Sequence, residues 1–164
     1  MRSSGRPAPA AGVEIGVADP SGPAARHCLE QYFAELAVRF PAGFDLSRDG
    51  GDGALSELAP PGGCLLVARL AGEPVGCAGL RLLEPDLGEI KRMWVAPGAR
   101  GCGIGRRFLR ELEQRARDRG LRALRLDTHS SLGEALRLYR SCGYAEIARF
   151  NDNPYAHHWF EKIL

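Results

Sequence analysis

The chain has no run of about 18 apolar residues, the length a helix needs to cross a bilayer, and this argues against a membrane span. Its first dozen residues hold no apolar stretch of the kind a secretory leader carries, so residues 1–12 are expected to form a flexible tail. An excess of one charge is also missing. Twenty-two basic residues stand against 20 acidic ones for a net +2, too even a balance for a nucleic-acid partner. The five cysteines, at 28, 64, 77, 102 and 142, form no Cys-x-x-Cys pair, are odd in number and sit mostly in apolar runs. Reduced thiols in a cytoplasmic protein are the expectation. His157 and His158 are adjacent, but neighbours on a strand point to opposite faces and no third ligand stands at suitable spacing, so no metal is expected. The 164 residues fit a single domain, expected over 13–164.

What the chain does have is Arg100-Gly101-Cys102-Gly103-Ile104-Gly105, between a strand-like run from Ile90 to Val95 and a long helical pattern. Glycines let a backbone approach a ligand closely, and the free N–H groups of the next helix's first turn attract an anion. The loop lacks the Lys-Ser/Thr pair of a Walker phosphate loop, since Arg106 and Arg107 follow Gly105. It also closes one residue early for the dinucleotide fingerprint Gly-x-Gly-x-x-Gly. Ile104, Phe108, Leu109, Leu112 and Ala116 then recur at helical spacing up to Gly120, predicting a helix of about four turns. Leu121 to Asp127 reads as a half-buried strand. Leu132, Leu136 and Tyr139 mark a second helix ending at Gly143.

The spacing Arg-x-x-Gly-x-Gly, followed by Ala135-Leu136-Arg137-Leu138-Tyr139-Arg140-Ser141-Cys142-Gly143-Tyr144, resembles the two hallmarks of the GNAT superfamily of N-acetyltransferases. The resemblance is close from Cys64 to Tyr144 and holds in outline from Val13 to Gly63. It implies an α/β (α+β) fold: a central mixed, mostly antiparallel twisted sheet of about seven strands, with helices on both faces, splayed between the fourth and fifth strands. The rest of the chain agrees. Val13 to Val17 reads as an edge strand, and Asp19-Pro20-Ser21 as the start of an amphipathic helix carrying Leu29, Tyr32, Phe33, Leu36 and Phe40. Cys64 to Leu70 and Val75 to Leu83 form a hairpin about Ala71-Gly72-Glu73-Pro74. Tyr144 to Phe150 and Ala156 to Leu164 are expected as the final strands.

The same resemblance implies acetyl-CoA as cosubstrate and direct transfer to a primary amine in a ternary complex. A noncatalytic acyl-CoA sensing module on the same fold is the alternative. Backbone groups of Met93, Trp94 and Val95 would meet the pantetheine arm, and Arg100, Gly101, Cys102, Gly103, Ile104, Gly105 and Arg106 the pyrophosphate. Cys102 has no histidine near it in sequence to activate it and is expected to be inert in transfer. Tyr139 would act as general acid, a phenol with a pKa near 10 being matched to a leaving thiolate. Glu89 and Asp127 are the candidates for base, with ion pairing to Arg92 or Arg125 as their structural alternative. Where the family often carries Asn, seven residues before the tyrosine, this chain has Leu132, and Ser130 or Ser131 is expected to substitute, Ser131 as a cofactor contact. Phe44, Glu89, Asn151, Tyr155 and His157 are the candidate acceptor residues. Exposed strand edges leave a homodimer open.

Overall fold

The computed structural model describes residues 12–49 and 52–164. The flexible-tail expectation for residues 1–12 lies almost entirely outside them. Seven strands form one sheet: β1 (Val13–Ala18), β2 (Gly63–Leu70), β3 (Glu73–Glu84), β4 (Leu87–Val95), β5 (Ala123–Thr128), β6 (Ala145–Ile147) and β7 (His158–Ile163). Three helices accompany them: α1 (Pro23–Arg39), α2 (Ile104–Asp118) and α3 (Gly133–Ser141). Strand order is β1-β2-β3-β4-β5-β7-β6, antiparallel throughout except for the parallel pair β4 and β5. The fold class read from the sequence is therefore the one observed, the splay included.

Apolar strand runs are long here because both faces of the sheet are covered. In β2, Leu65 and Val67 pack with Ala25, Cys28 and Leu29 of α1 on one face. Cys64, Leu66 and Ala68 pack on the other with Ile104, Phe108, Leu109 and Leu112 of α2. Phe108, Leu109 and Leu112 are fully buried, each contributing about 1.5–3 kcal/mol relative to exposure. All five cysteines are free, with Cys28, Cys64 and Cys77 buried. Among the described residues no helix is long and apolar enough to cross a membrane.

Some boundaries differ from the sequence expectation, β5 for instance running Ala123–Thr128 rather than Leu121 to Asp127. The Asp19 carboxylate accepts the Ser21 N–H at 2.9 Å and closes a local turn, so α1 is capped at Gly22 and begins only at Pro23. The strand expected over Tyr144 to Phe150 is the three-residue β6, because the chain then leaves the sheet and carries Asn151 toward Asp127. The last strand runs His158–Ile163, starting two residues after Ala156.

Candidate active site

Ladder pairing of β4 with β5 covers only Leu87↔Ala123, Gly88↔Leu124 and Glu89↔Arg125. Beyond it β4 runs on to Val95 and β5 to Thr128 without partnering each other, which leaves the β4 edge from Ile90 onward facing an open wedge. Within that stretch Arg92 has φ of +56°, a left-handed conformation that costs a side-chain-bearing residue on the order of 1–2 kcal/mol. The bulge resets the alternation of β4. Ile90 joins the core under α2, while Trp94 joins the core under α1. The buried Cys77 thiol donates to the Arg92 carbonyl at 3.2 Å and braces the bulge.

The wedge opens on two chambers. The larger, about 330 Å³, runs from Met93, Trp94 and Val95 along the loop to Leu138 and Tyr139. At its far end α2 is capped by Gly103, whose φ of +83° suits glycine. No side chain caps this helix start and no acidic residue lies in its first turn, so its first N–H groups remain available to an anion. A Cβ on Gly105 would lie 2.8 Å from Leu138 Cδ2, and glycine there allows α2 and α3 to approach closely.

Charged groups frame this chamber's mouth. Arg100 donates from Nη2 to both Glu35 oxygens at 2.6 and 2.8 Å, and from Nε to the Val95 carbonyl at 2.9 Å. Arg39 of α1 reaches across to Glu134 Oε2 at 3.0 Å and to the Ser131 carbonyl at 2.8 Å. The Arg39 guanidinium holds the Glu134 carboxyl down at about 2, well below its ordinary value. Each such half-exposed pair contributes about 0–1 kcal/mol, so their effect is chiefly to fix α1 against α3.

The smaller chamber, about 80 Å³, is walled by Tyr32, Phe40, His129 and Tyr155, with Asp127 and Asn153 between them. Asp127 accepts from Asn151 Nδ2 at 2.5 Å and from Asn153 Nδ2 at 2.9 Å. His129 stacks on Phe40 with ring centroids 3.9 Å apart, and its Nδ1 accepts the Ser131 N–H at 3.0 Å. Burial, and secondarily the nearby His157, lowers the His129 pKa. A neutral ring whose Nδ1 accepts a backbone N–H carries its proton on Nε2.

Tyr32, Met93, Leu132, Ala135 and Tyr139 line both chambers, so the two meet at the Tyr139 ring. Burial raises the Tyr139 pKa far above the usual phenol value, and the charge of Asp127 raises it further. The phenol therefore keeps its proton throughout the neutral range.

The structure brings together most of the sequence-named residues. Met93, Trp94, Val95, Arg100, Gly101, Gly103, Ile104, Gly105, Arg106 and Tyr139 line the larger chamber. Asp127 and Tyr155 line the smaller one. Others do not reach a chamber wall. Glu89 is fully buried, bound by Arg81 Nε at 2.6 Å with Lys91 Nζ at 3.8 Å, so its partners are neither Arg92 nor Arg125. Asn151 is a connector, donating to Asp127, 3.5 Å from Glu89 Oε2, and accepting the Trp159 indole N–H at 2.9 Å. Ser131 gives its backbone to Arg39 and His129, and Leu132 takes the place in the wall. Cys102 contributes loop backbone while its side chain packs against the core. His157 Nδ1 shares a hydrogen bond with Ser130 Oγ at 2.8 Å, and its ring lies tilted against His129 with centroids 4.1 Å apart, one layer from the chamber. Phe44 stacks on Phe33 and lies tilted against Tyr155, backing the wall.

Sequence reasoning passed over His129, Tyr32, Lys91, Arg92 and Asn153. His129 directly follows the strand that ends at Thr128, and a polar ring leaving a strand end at a splay was the available signal. Among the described residues no group of three or more His, Cys, Asp or Glu side chains is arranged to hold a metal ion.

Comparison with known proteins bears on the same site. Residues 26–144 match the model of the acetyltransferase (GNAT) family. An IAA acetyltransferase from Azospirillum brasilense is 44% identical over 128 residues, covering 77% of each chain. A ribosomal-protein-alanine N-acetyltransferase structure from Brucella melitensis is 26% identical with a TM-score of 0.67, covering 92% of this chain and 99% of that one. A GNAT family acetyltransferase from Elizabethkingia anophelis, solved with acetyl-CoA bound, shares the fold at 18% identity and a TM-score of 0.67, over 93% of this chain and 99% of that one.

Proposed function

The chain belongs to the GNAT acetyltransferase family, and from that premise we propose that it moves the acetyl group of acetyl-CoA to a primary amine by direct attack in a ternary complex. The observation that carries this reading is the meeting of two chambers at one protonated phenol, Tyr139. The larger chamber fits the donor. Its uncapped helix start suits a pyrophosphate, its open β4 edge suits the amides of a pantetheine arm, and its length ends at the tyrosine.

Acetyl-CoA supplies the activated acyl carbon, and the chain's own groups do the rest. Asp127, held in place by Asn151 and Asn153, takes the proton from the incoming ammonium through one water. The edge of β4 from Met93 to Val95 orients the thioester carbonyl so that the amine nitrogen attacks its carbon. As the C–S bond breaks, Tyr139 gives its proton to the thiolate, and the proton shed by the newly acylated nitrogen passes through water to restore the phenol. Cys102, the cysteine of the loop, packs its side chain against the core and does not line the chamber, so it is not placed to carry the acyl group.

The test is release of free CoA thiol from acetyl-CoA in the presence of a broad amine panel. Turnover with any amine supports the reading. Silence across the panel, with acetyl-CoA still raising the melting temperature, overturns it in favour of a noncatalytic acyl-CoA binder.

A further inference from the structure

Resting on that reading, we infer that His129 sets the choice of acceptor, its Nε2–H donating to a hydroxyl, carbonyl or carboxylate oxygen that the acceptor carries close to its amine. His129 lines the smaller chamber and not the larger one, so this hydrogen bond serves the acceptor rather than acetyl-CoA.

The ring is held so that one nitrogen is engaged and the other is left over. Nδ1 accepts the Ser131 N–H at 3.0 Å, and the Ser131 carbonyl is held in turn by Arg39 at 2.8 Å. The neighbouring His157 repeats the pattern, its Nδ1 accepting the Ser130 N–H at 3.2 Å. Two consecutive backbone N–H groups thus orient the two imidazoles, and Phe40, stacked at 3.9 Å, fixes the plane of His129. The proton of the neutral ring then sits on Nε2. Among the described residues none accepts it, and the sealed, unpaired side-chain nitrogens are those of Trp94 and Arg115, so His129 Nε2 reaches open space. With the residue only 9% exposed, that space is the chamber it lines. A ligand that displaces water from this donor and offers it no acceptor leaves it unpaired at a cost in free energy.

Position along the chain supplies the spacing. Asp127 and His129 stand two residues apart where β5 ends, and both line this chamber. Extended chain places such a pair on one face, roughly 6–7 Å apart at the backbone. The Asp127 oxygens each accept an amide hydrogen, one from Asn151 and one from Asn153, and neither takes the His129 proton. A molecule with its nitrogen toward Asp127 and an oxygen a few bonds away meets both groups. The chamber, about 80 Å³, suits a compact reacting end of this kind. Amino alcohols, amino acids and aminoacyl amides answer the description, whereas alkylamines and protonated polyamines leave Nε2–H without an acceptor.

The experiment measures CoA thiol release by the native protein and by His129→Phe, which keeps a ring against Phe40 and removes both nitrogens. The acceptors are ethanolamine, glycinamide, glycine, and the other amino acids with their carboxamides, each matched with an alkylamine of equal size, and spermidine. In the native protein the best oxygen-bearing amine is expected to exceed its alkylamine counterpart about 5- to 100-fold in kcat/KM, the scale of an unpaired buried donor. Which arm is best tells hydroxyl, carbonyl and carboxylate apart. His129→Phe is expected to bring the ratio toward parity by lowering the oxygen-bearing acceptor alone, with the melting shift by acetyl-CoA showing that the fold is kept. His129→Gln, which restores an N–H donor, is expected to recover part of the preference. Both acceptors falling by the same factor in His129→Phe shows that the ring only packs the wall, and overturns the inference. Alkylamines or spermidine serving the native protein as well as every oxygen-bearing amine also overturns it, and leaves the acetyltransferase reading standing. Silence with every acceptor overturns both.

Discussion

Asn151 donates its amide to Asp127 at 2.5 Å, although 24 residues separate them, and the same nitrogen lies 3.5 Å from the buried Glu89. One side chain thereby ties the β5 end of the wedge to the β4 side, and fixes the carboxylate assigned as base. Asn151→Leu is expected to lower kcat on the order of 10- to 100-fold by releasing Asp127 from its position. Steady-state kinetics together with the acetyl-CoA melting shift check this, because a merely structural role would lower both. A variant with wild-type kcat removes the positioning role.

Tyr139→Phe keeps the ring that lines both chambers and deletes only the proton donor. Turnover is expected to fall on the order of 10²- to 10⁴-fold with KM for acetyl-CoA little changed. Because burial and Asp127 raise the pKa of this phenol, the native enzyme's kcat is expected to show no basic limb from Tyr139 below about pH 10. A variant that turns over at the native rate takes the acid role away from this residue.

Gly103 caps α2 with φ of +83° and has open space where a Cβ would stand. Gly103→Ala therefore meets no clash but pays the left-handed backbone penalty, about 1–2 kcal/mol. Relief of that strain by a local shift would turn the first N–H groups of α2 away from the anion. The expected outcome is weaker CoA binding by calorimetry, with a smaller loss for a dephosphorylated pantetheine thioester that makes no pyrophosphate contact. Equal losses for both ligands would place the anion elsewhere.

Arg39 and Glu134 join α1 to α3 over the donor chamber, and the arginine holds the Glu134 carboxyl at about 2, against an ordinary value of 4.5. A depressed carboxyl contributes stability that is present above about pH 4.5 and is lost as pH falls toward 2. The Glu134 side chain is 45% exposed, so screening limits the gain to about 1 kcal/mol or less. Melting curves of the native protein and Glu134→Gln are expected to differ by a few degrees at neutral pH and to converge between pH 4.5 and 2. A difference independent of pH and of salt would show that the pair carries no net electrostatic weight.

The residues of the larger chamber, proposed to hold the donor, were legible because they are local. The loop from Arg100 to Gly105, the helix start behind it and Tyr139 lie within 40 residues, and each leaves a mark in glycine spacing or helical periodicity. The acceptor half is assembled from segments with no such spacing. His129 enters the wall because β5 ends at Thr128, and Asn153 because the chain after β6 folds back onto Asp127. Glu89 illustrates the limit. Placed on the correct strand by sequence, it points by the pleat of β4 to Arg81, and no pattern in one strand reveals the register of its neighbour.

Sequence alone determined the succession of strands and helices along the chain, the coverage of the sheet on both faces and the glycine loop before α2, since hydrophobic periodicity and glycine conformation act over a few residues. Tertiary structure decided where β4 and β5 part, which face of β4 Trp94 presents after the bulge at Arg92, and which carboxylate reaches the wedge. Those outcomes depend on pairing register and on side chains meeting across more than 20 residues of chain, such as Asn151 with Asp127, and such meetings exist only once the sheet has closed on both its cores.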